Sequence, residues 1–276
     1  MNMQSTEGYE TNTQAQGLRE EVVRTREEIV DAIAQMEHLR LQVIPQIHAD
    51  YAVKIGCWET QLLQAELSCR RARRKLTLAQ ASANDGSAID EAAIETQLDA
   101  EFEEWQERMA KAFARVQQGL EYITATSRLS PSDGRALKKY FRILARRLHP
   151  DLHPDRKEEF SDLFQIAMRA YETGNVAVLR SLEVSTRHLD HHDADLEGLT
   201  EDELASALEL TQIELGMVRE QLEKLKADPV FQLERHLANP EWVTAKVTEM
   251  RGAIASYDRA REDYERRLVQ LMGGTS

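Results

Sequence analysis

The sequence predicts an all-α protein of long coiled-coil helices, and three observations carry that prediction. Only 12 Gly and 6 Pro punctuate 276 residues, too few turn-formers for a fold of many short elements. Charged residues make up 30% and aromatics 6%, with Ala, Leu, Glu, Arg and Gln prominent, the composition of helices that bury narrow seams rather than thick cores. Apolar residues step by three and four along most of the chain, while the Gly-rich turns and Val/Ile runs of a catalytic α/β domain are missing. The predicted architecture is two long coiled-coil helical hairpins flanking a small helical module.

Residues 1–16 lack periodicity and read as a disordered tail. From Leu18 a heptad seam runs through Val22, Thr25, Ile29, Ala32, Met36, Leu39 and Val43. Pro45 follows; it has no amide donor and clashes with the preceding turn, which predicts a kink or break between Val43 and Pro45. Stepping resumes at Tyr51, Ile55, Trp58, Leu62, Ala65, Cys69, Ala72 and Leu76, and stops at the turn residues Asn84, Asp85 and Gly86. A return helix carries Ile94, Leu98, Phe102, Trp105, Met109, Val116, Leu120 and Ile123 on one face, so residues 17–126 are expected to form an N-terminal hairpin of antiparallel neighbours. Residues 200–272 repeat the design, with Leu204, Thr211, Leu215, Val218 and Leu222 on one helix and Val243, Val247, Met250, Ile254 and Tyr257 on the next. Asn239 as cap and Pro240 at the first helical position open that last helix.

The module spans residues 127–185, with 186–199 as a linker. It opens at Ser130-Pro131 with an amphipathic helix whose apolar face is Leu137, Phe141, Leu144, Ala145 and Leu148. Arg135, Lys138, Lys139, Arg142, Arg146 and Arg147 cover the remainder. The helix stops at "LHPDLHPD": His149 precedes a proline and is driven out of helical geometry, so the chain turns there. A second helix starts near Arg156 with acidic residues in its first turns, and Phe164, Ala167, Ala170 and Tyr171 supply its inward face. Gly174 ends it in a left-handed cap, and Asn175 starts a short third helix through Leu182.

On these residues the module resembles the J domain of DnaJ-type co-chaperones. The likeness rests on "LKKYFRILARRLHPD", on His149-Pro150-Asp151 itself, and on Phe164, Ala167, Ala170 and Tyr171 in register with the family's last long helix; it covers about fifty residues. The whole chain resembles bacterial J-domain-like proteins that join a coiled coil to an "LHPDLHPD" motif. The resemblance implies that His149, Pro150 and Asp151 trigger ATP hydrolysis by a DnaK-type chaperone, with Lys138, Lys139, Arg142, Arg146 and Arg147 as docking surface. Departures are plain: "YITATSRL" stands where the family has its first short helix, and no Gly/Phe-rich linker or Cys-x-x-Cys module follows.

Other chemistry finds less footing. A net charge of −13 repels phosphate polyanions, which argues against nucleic acid and anionic membranes except at the basic helix. His149, Asp151, His153 and Asp155, and the cluster at His188, His191 and His192, alternate like divalent-metal ligands, yet read better as a solvated turn and linker, so no metal or cofactor is expected. Cys57 and Cys69 lie on one helix too far apart to bridge within it, and reduced thiols suit a cytoplasmic protein. No apolar run approaches a membrane span, no signal peptide opens the chain, and no triad, paired carboxylates or phosphate loop makes an enzyme. The expected function is a co-chaperone or adaptor whose arms bind an unknown client, with a homodimer through the coiled coils open. The alternatives are a coiled-coil scaffold subunit in which the J-like module is only a joint, and an accessory nucleic-acid-binding protein.

Overall fold

The protein, described by a computed structural model over residues 4–126, 129–153, 156–189 and 194–273, is helical, with no strand among the described residues. No helix of the described residues is long and apolar enough to cross a membrane. The elements in order are α1 (Gln4–His38), a π-helical turn (Leu39–Val43), α2 (Ile44–Tyr51), a second π turn (Ala52–Gly56), α3 (Cys57–Asn84), α4 (Glu91–Glu101) and α5 (Glu103–Thr126). Then come α6 (Pro131–Leu148), α7 (Lys157–Glu172), α8 (Val176–Ser185), short 3-10 turns at Arg187–Leu189 and Ala194–Leu196, α9 (Glu201–Lys226), α10 (Val230–Leu237) and α11 (Pro240–Gly273). The chain divides into two compact units, Met1–Pro45 with Thr124–Phe231, and Gln46–Ile123 with Gln232–Ser276.

The first helix begins at Gln4 rather than after residue 16, although Ser5, Thr6, Gly8, Thr11, Asn12 and Thr13 are weak helix formers. The irregularity expected at Val43 to Pro45 takes the form of a π turn, and the helix resumes beyond it. The Ile44 N–H bonds back to the Leu39 carbonyl, a five-residue step that widens the turn directly ahead of the proline, where a regular turn would meet the ring and lack a donor.

In the first unit α1 lies between α9 and the module. Val22 clusters with Leu196 and Leu204, while Ile29, Ile33 and Met36 cluster with Leu215, Val218 and Leu222. Early residues of α1 meet early residues of α9 and late meet late, so the two helices run parallel. Arg19 donates to the Leu199 carbonyl (3.3 Å), and Arg219 pairs with Glu28 (2.7 Å), in the same sense. The second unit repeats this logic. The Arg251 guanidinium sits over the Trp58 ring, 4.3 Å from its centroid, and Leu268 and Leu271 reach the Ala79 end of α3, so α11 runs parallel to α3. α4 folds back on α3 through Ile94 and Leu98, with Arg71, Arg74 and Lys75 paired to Glu95, Glu101 and Glu91. α5 crosses the second π turn at Gly119, where a Cβ would stand 2.7 Å from that of Ala52, so only glycine allows the approach.

The seams are therefore real but partnered differently from the two hairpins read from the sequence. α1 takes α9 and α3 takes α11, rather than α3 taking α5 and α9 taking α11. A heptad stripe demands cover without naming its source, and a parallel partner needs a long connection that only distant segments of the chain supply.

Candidate functional site: the His-Pro-Asp turn and its basic helix

The module's core is built as its apolar spacing dictates. Ser130 caps α6 in a reciprocal box with Asp133, and Pro131 occupies the first turn, where its missing N–H costs nothing. Leu137, Phe141, Leu144 and Leu148 then pack on Phe160, Phe164, Ala167 and Tyr171 of α7, all at most 4% exposed. Phe141 stacks on Tyr171 with centroids 4.1 Å apart. Each such side chain contributes about 1.5–3 kcal/mol on leaving water, enough to fix the two helices side by side. Gly174 closes α7 with a left-handed φ of +70°, allowing the Asn175 N–H to bond the Ala170 carbonyl (2.7 Å), and the Asn175 side chain caps α8.

The turn between α6 and α7 splits the tripeptide in two. His149 leaves the helix with extended backbone, and its ring lies edge-on to Phe164 at 4.8 Å, only 12% of the side chain exposed. Its Nδ1 accepts the Asp151 N–H at 3.1 Å, so that nitrogen carries no proton and the ring is neutral. Burial pushes this imidazole below its usual range; the Asp151 carboxylate opposes that, while His153 and Arg40 add to it. The Asp151 side chain projects outward, 74% exposed. Beyond it the turn is anchored again: Leu152 packs on the α1–α9 cluster, and His153 bonds the Arg146 carbonyl (3.0 Å) and stands edge-on to Phe160. An exposed carboxylate between two half-buried anchors is held in place without being covered.

The five predicted docking cations separate sharply. Lys138 and Lys139 are exposed on α6. Arg142 pairs with Asp31 and with Glu27 (3.2 Å), and Arg146 with Glu27, so both are engaged by α1. Arg147 is not surface at all, and its expected docking role is corrected. At 2% exposure it donates to the Glu183 carbonyl and the Thr186 hydroxyl, both at 2.9 Å, at the C-terminal end of α8. A guanidinium there serves carbonyls that the helix leaves unpaired and meets the negative end of its dipole.

Several neighbours of the turn went unread in the sequence. A cavity of about 510 Å³ opens beside Asp151, lined also by Arg26, Arg146, His153, Arg156 and Glu214. Burial, then Asp151, raises the Glu214 carboxyl, while Arg26 opposes them. Tyr171 bonds His38 of α1 at 3.0 Å, and Gln42 of the first π turn donates to the Tyr171 carbonyl (2.6 Å), so α1 and that turn grip the end of α7. The one available signal was spacing: Glu27 and Asp31 stand four apart on α1, as Arg142 and Arg146 do on α6.

Asp155, His191 and His192 lie outside the described residues. Among the described residues, no group of three His, Cys, Asp or Glu is arranged to hold a metal ion. Trp58, Trp105 and Trp242 are half-buried beside their seams. Compared with protein-family models, curated proteins and solved structures, the chain finds no match.

Proposed function

We propose that the chain is a J-domain-like co-chaperone or adaptor that recruits a DnaK-type ATPase and stimulates its hydrolysis step. The observation that carries this reading is the exposed Asp151 carboxylate, set at the tip of an antiparallel helix pair by His149 on one side and Leu152 and His153 on the other. A preset exposed charge loses little conformational entropy on docking, and a partner state that binds it more tightly is favoured by that difference alone. Lys138 and Lys139 extend the surface with positive charge. The helices outside the module select the client or assembly on which the ATPase acts.

The test is a single-turnover ATPase assay with the host's DnaK-type chaperone. Wild type should accelerate hydrolysis, Asp151→Asn should abolish the acceleration, and Lys138→Ala with Lys139→Ala should weaken it. A second reading, a joint inside a scaffold, is favoured by the capture of Arg142, Arg146 and Arg147 within the chain. It prevails if folded wild type leaves the ATPase rate unchanged.

A further inference from the structure

The cations of α6 share one face but not one set of neighbours. At about 3.6 residues per turn, Arg135, Lys138, Lys139, Arg142 and Arg146 fall within an arc of about 100°. Arg135, Lys138 and Lys139, in the half of the helix away from the His-Pro-Asp turn, are exposed. Arg142 and Arg146 occupy the last two turns before it, and α1 holds both: Arg142 through Asp31 and Glu27 (3.2 Å), Arg146 through Glu27. The cations nearest Asp151 are therefore the ones already engaged.

The engagement is of a kind that can be exchanged. Arg142 and Asp31 are 50% and 58% exposed, Arg146 and Glu27 33% and 31%, so water reaches and screens every member of the group. Ion pairs so exposed are weak. An incoming anionic surface can take over the two guanidiniums without displacing α1 itself, whose apolar residues stay packed in their cluster with α9. It has first to evict two carboxylates that need no encounter to bind, because the fold keeps them at a high effective concentration. Arg147 differs in this respect, since it is buried on the end of α8 and is not open to exchange.

We infer that α1 is a built-in competitor for the docking face of α6: Glu27 and Asp31 occupy Arg142 and Arg146 in place of the anionic groups that a cationic docking face recruits, and so attenuate docking beside the His-Pro-Asp turn. The inference rests on the co-chaperone reading and adds its regulation. A partner that binds only the fraction of molecules with these guanidiniums released has its apparent affinity reduced by that fraction, so removing the competing carboxylates tightens docking.

The test titrates forms of the full chain to half-maximal stimulation in the single-turnover assay with the host's DnaK-type chaperone. Glu27→Gln with Asp31→Asn releases both guanidiniums and should lower the half-maximal concentration about three- to tenfold relative to wild type. Glu20→Gln with Glu21→Gln removes the same charge from α1, at carboxylates that bond Gln16 and Arg24 of their own helix, and should leave that concentration unchanged. Adding Asp151→Asn to the released form should abolish stimulation. Phenylglyoxal labelling read by mass spectrometry reports the contact itself: Arg142 should react more slowly than exposed Arg135 in wild type, and at a comparable rate in the released form. If circular dichroism shows the double variant disturbed, Asp31→Asn alone, at an exposed position, replaces it with an expected shift of about two- to fivefold. Three results each overturn the inference and leave the co-chaperone reading standing: equal half-maximal concentrations in wild type and released form, an equal shift in the Glu20→Gln, Glu21→Gln control, or Arg142 labelling as fast as Arg135 in wild type. Faster Arg142 labelling in the released form with no stimulation by any form removes the co-chaperone reading, and the inference with it.

Discussion

α1 and α11 carry the same apolar stepping and have similar lengths, yet they are buried to different depths. Along α1, Val22, Ile29, Val30, Ala32, Ile33 and Met36 are all shielded, whereas α11 fully buries only Met250. The difference lies in neighbours. α9 covers one side of α1 and α6 another, while α11 has a single long partner in α3. A heptad therefore sets the direction of burial, and a second layer sets its amount.

The largest expected effect tests that contrast directly. Ile33→Ala should lose about 2–5 kcal/mol of stability in the first unit, and Ile254→Ala on the half-buried seam of α11 only about 1 kcal/mol. All three tryptophans, Trp58, Trp105 and Trp242, lie in the second unit, so their fluorescence reports that unit while circular dichroism reports both. In urea, Ile33→Ala should move the first unit's share of the dichroism transition to lower denaturant and leave the fluorescence midpoint in place. Equal displacement of both signals would mean that the units unfold as one and the contrast has no thermodynamic content.

Acidification sharpens the same comparison. Burial lowers the imidazoles of His149 and His38 below the usual 6.5, the latter with help from Lys138. The unfolded chain then binds more protons than the folded one as pH falls through 6.5, so the stabilisation is complete above that value and is lost below it. Glu214, whose carboxyl is raised, works in the opposite sense closer to its ordinary range. The first-unit midpoint should fall between pH 7 and pH 5.5, while the tryptophan midpoint should hold. An unchanged dichroism profile would contradict the half-buried placement of the two histidines.

Smaller still is the ionic contact of α1 with α6. Glu27 and Arg142 are 31% and 50% exposed, so water screens them, and Glu27→Gln should cost no more than about 1 kcal/mol. A double-mutant cycle with Arg142→Gln isolates the pair; coupling indistinguishable from zero would leave α1 held to the module by apolar packing and by its other polar contacts, such as Tyr171 with His38. The least effect on stability is expected at the exposed tip. Asp151→Asn should cost at most about 0.5 kcal/mol, and a larger loss would turn the carboxylate from a docking group into a structural cap.

The module was the most legible part of the sequence, because each of its signals is local. Spacing placed Phe141 opposite Phe164 and Tyr171, Pro150 forced His149 out of the helix, and Gly174 and Asn175 wrote the next turn. Partnership was not local and could not be read: nothing in Leu215 or Val218 distinguishes α1 from α11 as cover. Arg147 misled for a related reason. An arginine next to Arg146 in a run of cations looks like part of a basic face, and only the fold brings the end of α8 within its reach. At Pro45 the rule against helix-interior proline was sound, but a π turn placed just ahead of it relieved the conflict.

The parallel pairing of α1 with α9 has a consequence for synthesis. Contacts such as Arg19 to Leu199 and Arg219 to Glu28 join residues 180 and 191 apart in the chain. At roughly 5–20 residues per second, α1 leaves the ribosome on the order of 10–40 s before the helix that covers its far side exists. The α6–α8 module is made in that interval and can cover the near side of α1 first. Until α9 is made, Val22, Ile29 and Ile33 form an uncovered apolar strip on the nascent chain.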